Sequence, residues 1–131
     1  MEHRIGVTGV LWVDNYEKAI FFYCDQTKLF SLYANTSGVG LRNVVLSYNL
    51  PGAPFYLVLH LAQTPAMTDL VGRQGGDHAL FILPVADCQD IYARLKGTSL
   101  SFTGEPVSLP YGCQVTLLDP FGNKVCLSER Y

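Results

Sequence analysis

Residues 78–97 read HALFILPVADCQDIYARLKG, and the way this stretch divides decides the fold. Its first part, HALFILPV, is short, apolar and strand-like. From Asp87 the pattern changes: Cys88, Ile91, Tyr92 and Leu95 recur at i, i+3, i+4 and i+7, the spacing of one helical face. Asp87 is suited to cap that helix, and Gly97 falls where a left-handed C-cap belongs. The same scheme stands earlier in the chain. A strand from Ile5 to Val13 leads to Asp14, with Glu17 three residues on as in a capping box. Tyr16, Ala19, Ile20 and Tyr23 then repeat the helical spacing. Three strand candidates follow each helix, at 29–34, 40–48 and 56–62 and again at 100–103, 113–118 and 124–129.

The order is therefore βαβββ, twice. Between the copies, QTPAMTDLVGRQGGD (63–77) is rich in turn formers and reads as a linker carrying a helical turn at 66–71. One module alone exposes an apolar sheet face, so two must pack together. The expectation is one α+β domain over 1–131: module one about 5–62, linker about 63–77, module two about 78–129. The two tandem βαβββ modules would form curved sheets around a cleft.

Composition narrows the function. Among 131 residues, 49% are hydrophobic and 15% charged, with a net charge of −2. Lys and Arg are scattered singly, which excludes the basic stripe of a nucleic-acid binder. No apolar run reaches the length of a membrane span, and the first residues lack the apolar segment of a secretion signal. Cys24, Cys88, Cys113 and Cys126 show no CxxC spacing. They read as reduced thiols of a cytoplasmic protein rather than a zinc finger or disulfide scaffold.

PFYLVLHLAQ (54–63) places a titratable ring inside an apolar strand. His60 is either a core histidine or a group facing a cavity. In the second case alternation brings Tyr56, Val58 and Ala62 to the cavity, and His78 likewise brings Leu80 and Ile82. On the first strand Val7, Gly9, Leu11 and Val13 share one face, taken here as the cleft side. Thr8, Val10 and Trp12 share the other, with Trp12 expected to pack on the helix.

The doubled βαβββ order, WVDNYEKAIFFY (12–23) and LLDPFGNKVCLSE (117–129) resemble the vicinal oxygen chelate superfamily, which includes glyoxalase I, extradiol dioxygenases and bleomycin-resistance proteins. The DPFGN turn (119–123) is the most specific element, and it is mechanical: Asp-Pro starts a tight turn and Gly-Asn tolerates positive φ.

The resemblance implies a divalent ion held by the first and fourth strands of each module. Seven residues before the helix-capping Asp stands Val7, which cannot coordinate; His3 is displaced from it by four. The other three positions carry His60, His78 and, in place of a glutamate, Cys126. Two imidazoles and a thiolate suit Zn, whereas Mg, Mn and Fe(II) favour oxygen donors. Glu129, three residues past Cys126, points to the opposite face, and Glu105 sits in the loop TGEPVSLPYG (103–112). LPYGCQ (109–114) resembles the aromatic-glycine loop that enters the cleft in bleomycin-resistance-like members, which makes Tyr111 a candidate contact.

The expectation is a small-molecule-binding protein for a mainly apolar or aromatic ligand, contacted by His60, His78, Tyr111, Tyr56, Leu11 and Leu80, with no cofactor. The alternative is a metal-dependent lyase, isomerase, transferase or dioxygenase using a divalent metal such as Zn on His60, His78 and Cys126. The resemblance also implies a homodimer.

Overall fold

A computed structural model describes residues 7–37, 42–52 and 54–130. His3 and the expected start of the first strand lie outside them. The chain is mixed α+β with two separate sheets, and it divides into two compact units, 1–71 and 72–131. Among the described residues no helix is long and apolar enough to cross a membrane.

In unit 1, β1 (Val7–Val13) leads into α1 (Tyr16–Ile20), a π-helical continuation (Phe21–Gln26), then β2 (Phe30–Ser37), β3 (Arg42–Tyr48), β4 (Phe55–Leu61) and α2 (Pro65–Thr68). The sheet order is β1-β4-β3-β2, with β1 and β4 parallel and the other pairs antiparallel. One face of this sheet is the core: Leu11, Val13, Val44, Leu46, Leu57 and Leu59 are almost fully buried. The helix covers it through Ala19, Phe22 and Tyr23, and Tyr23 meets Phe30 edge-on at 5.6 Å. Each such leucine contributes about 1.5–3 kcal/mol by leaving water.

This arrangement reverses the face expected for β1. Leu11 lies in the helix-side core, not on the cleft side, and Trp12 points the other way. The error traces to one residue. The N-cap of α1 is Asn15, whose side chain accepts from the Lys18 N–H at 3.0 Å, and not Asp14, which makes an exposed ion pair with Lys18. A one-residue slip exchanges the two faces of a strand. Counting seven back from the true cap lands on Thr8, on the same face as Val10 and Trp12.

In unit 2, β5 (Ala79–Pro84) and α3 (Cys88–Leu95) are followed by β6 (Ser101–Phe102), β7 (Val107–Leu109), β8 (Gly112–Leu118) and β9 (Lys124–Arg130). The order is β5-β9-β8-β6, with β7 hairpinned onto β8. Asp87 caps α3 as expected, accepting from the Asp90 N–H at 2.9 Å. Gly97 does not close the other end, since it takes no left-handed conformation; the Thr98 hydroxyl donates to the Leu95 carbonyl at 2.6 Å instead. The 119–123 turn forms as the sequence implies. The buried Asp119 carboxylate accepts from the Phe121 and Asn123 backbone N–H groups and from the Asn123 amide, at 2.8–2.9 Å, and Gly122 has φ of 99°.

Candidate functional site

The pocket of interest lies within unit 1, at the C-terminal ends of the parallel pair β1 and β4. Register places Trp12 directly beside His60, and their rings meet edge to face with centroids 5.2 Å apart. Val58 continues this face. Arg42, the first residue of β3, stands at the same end, because β3 runs antiparallel to β4. Tyr16 from the first turn of α1 and Met67 from α2 complete the walls. The pocket is a groove open to solvent, with a volume of about 800 Å³, within the range of roughly 300–1,000 Å³ that small-molecule sites occupy.

Arg42 is held from three sides. Its Nη2 pairs with Glu17 Oε1 at 2.8 Å, its Nε donates to Asn35 Oδ1 at 3.0 Å, and its guanidinium lies over the Tyr16 ring at 4.8 Å. Hydrogen bonding to Arg42 holds the Glu17 carboxyl below its usual range. Glu17 is mostly exposed and does not line the pocket, so among the described residues no Asp or Glu does. Sequence reasoning misses Arg42 and Trp12 as pocket-lining residues. A lone arginine carries no motif, and the misplaced cap turns Trp12 to the wrong face.

The other expected site residues fall as follows. His60 is exposed in this pocket, and Tyr56 shares its face two registers back, with its ring 5.2 Å from that of Tyr33. Leu11 is fully buried under the helix. In unit 2, His78 is exposed just ahead of β5, and Leu80 sits in a bulge of that strand. Tyr111 is exposed at the β7–β8 turn beneath the Arg130 guanidinium, 5.6 Å from the ring centroid. Cys126 is buried on β9, paired with Ile82 and Thr116. Glu129 indeed faces away from it, accepting from the Cys88 N–H at 2.9 Å.

The fold described here has known counterparts, and one match decides the family. A sequence model of the glyoxalase/bleomycin resistance protein/dioxygenase superfamily matches residues 4–127. The chain belongs to this superfamily. Among solved structures it is similar to TnmS3, an antibiotic binding protein from Streptomyces sp. CB03234, with 27% identity, coverage of 100% of this chain and 99% of that one, and a TM-score of 0.74. A glyoxalase/bleomycin resistance protein from the same Streptomyces is 28% identical over 95% of this chain and 99% of its own, at a TM-score of 0.73. UcmS2, at 22% identity, 98% coverage of both chains and a TM-score of 0.78, shares the fold.

Superfamily membership raises the question of a metal, and the donors in each unit do not fit one. In unit 1 the first-strand position pairs with β4 far from His60: Val7 lies beside Phe55 and Thr8 beside Tyr56, whereas His60 lies beside Trp12. Four or five residues of strand amount to about 13–16 Å. In unit 2, Ala79 pairs with Lys124 and Ile82 with Cys126, which separates His78 from Cys126 by about 10 Å along the strands. Among the described residues of either unit, no three His, Cys, Asp or Glu side chains group as a metal centre requires.

Proposed function

We propose that this chain is a small-molecule-binding protein that holds a mainly aromatic ligand in the unit 1 pocket without altering it. The observation that carries this reading is the pairing of Trp12 and His60 on the floor of a pocket of about 800 Å³. A large indole and a phenol at Tyr16 offer flat apolar surface, and each ring–ring contact with a ligand adds about 0.5–1.5 kcal/mol beyond burial. The resemblance to an antibiotic binding protein over the whole chain supports a binding role. The acting form is a homodimer in the cytoplasm. Exposed apolar side chains on strands of both units, among them Tyr33, Ile82 and Val107, favour association of two copies, and all four cysteines are free thiols.

Trp12 is the chain's one tryptophan, so its emission reports on the pocket without a label. Titration with N-phenyl-1-naphthylamine, a neutral aromatic probe that accepts tryptophan emission, is expected to quench Trp12 saturably at one probe per chain. Probe fluorescence that rises with no change in Trp12 emission would place the binding surface elsewhere and overturn the reading. Sedimentation at tens of micromolar checks the dimer; a monomer there contradicts it.

A further inference from the structure

We infer that the unit 1 pocket selects planar aromatic molecules bearing an anionic group, and that Arg42 is the residue that takes the anion; this rests on that pocket being the binding site. A guanidinium has five N–H donors in a rigid plane. Among the described residues two of these are committed, one to Glu17 and one to Asn35. The remaining N–H groups sit on a plane already fixed by three partners, so a ligand anion meets a preorganised donor and little side-chain entropy is lost on binding. The guanidinium also lies over the Tyr16 ring, and Arg42, Tyr16 and Trp12 all line the one pocket.

Charge in the pocket is one-sided. Arg42 lines it, and among the described lining residues no carboxylate does. Glu17 offsets part of the guanidinium charge from outside, through a side chain 69% exposed against 30% for Arg42. A solvated carboxylate is screened by water and salt, and it cancels less of the field than a buried one would. His60, whose ring meets Trp12 edge to face, adds a second polar ring to the lining, able to donate one hydrogen bond when neutral. A cationic ligand would meet Arg42 with nothing of opposite sign in the pocket to offset it.

The test compares two probes with closely matched ring systems. 8-Anilinonaphthalene-1-sulfonate carries an anion, and N-phenyl-1-naphthylamine does not. Affinities are read by energy transfer from Trp12 in the wild type, Arg42→Gln and Glu17→Gln, with thermal melts confirming that each variant is folded. Arg42→Gln is expected to weaken the sulfonate about tenfold and leave the neutral probe within about twofold, the scale of removing one charge-assisted hydrogen bond. Glu17→Gln is expected to act in the opposite direction, strengthening the sulfonate about twofold to fivefold as the guanidinium is freed. Equal losses for both probes in both variants would mean that the network only braces the pocket, and would overturn the inference while leaving the binding site in place. Failure of both probes to reach Trp12 in the wild type would overturn the binding reading itself, and the inference with it.

Discussion

The two units share a plan and differ at one corner. Counted from their helix caps, Asn15 and Asp87, Trp12 corresponds to Pro84, and the partners across the parallel pair are His60 and Ser128. Continuing the registers, Tyr16, Arg42 and Leu61 in unit 1 correspond to Cys88, Cys113 and Glu129 in unit 2. In unit 2 this corner is closed: Cys88 and Cys113 are buried, and Glu129 turns its carboxylate to the N-terminus of α3, where an acceptor is favoured. In unit 1 an arginine stands where the second thiol does, its charge needs solvent and a partner, and the corner remains open as a pocket. This corner is therefore closed in one copy of the repeat and open in the other.

Substitutions that disturb the packing of β8 on β9 in unit 2 are expected to have the largest effect. A methyl on Gly112 would overlap the Glu129 carbonyl oxygen, so Gly112→Ala must force β8 from β9. It is expected to lose about 3 kcal/mol or more, read as a lowered denaturation midpoint. Asp119→Ala removes an acceptor of three short hydrogen bonds in the turn before β9, at an expected cost of about 2–4 kcal/mol. A normal melting temperature for either variant would show that unit 2 is not the rigid copy.

Cys88 sharpens the comparison through pH. Burial, reinforced by a hydrogen bond with Cys113, pushes its thiol up from 9.0 to about 12. A raised thiol value means that the folded state keeps the proton longer than the unfolded one. The resulting stability is present in full below the ordinary value, declines above pH 9 and is lost by about pH 12. Cys88 is also expected to resist iodoacetamide at neutral pH until the protein unfolds; rapid alkylation of the native protein would contradict the closed corner.

The smallest effect concerns the helix ends. The π-helical segment of unit 1 is followed by Lys28 at φ 57°, a conformation glycine adopts without strain, whereas α3 ends without one. Lys28→Gly is expected to stabilise unit 1 by no more than about 1 kcal/mol, since relief of strain is partly offset by chain entropy. A loss of stability would mean that the Lys28 side chain has interactions of its own.

The repeat, the N-cap of α3 at Asp87 and the 119–123 turn are legible because each rests on local chemistry within a few residues, whereas the expected C-cap at Gly97 does not form. The site is less so. Asp14 and Asn15 are both good caps, and choosing between them fixes which face of β1 meets His60; nothing nearer than the fold itself decides it. The resemblance likewise sets His60 and Cys126 at equivalent positions, although register makes Cys126 the counterpart of Val58, two residues before His60. Strand β7 escapes the sequence pattern because Val107-Ser108-Leu109 lies between prolines and is only three residues long. Arg42 acquires its role from Glu17, Asn35 and Tyr16, which are up to 26 residues away.

The most direct test of an open unit 1 and a closed unit 2 is a chemical-shift map by nuclear magnetic resonance during titration with N-phenyl-1-naphthylamine. The Trp12 indole and the methyl groups of Val58 and Met67 are expected to shift first and saturate together, while those of Leu83, Val115 and Leu127 in the unit 2 core stay still. Shifts concentrated on the unit 2 residues, or spread evenly over both units, would contradict the account.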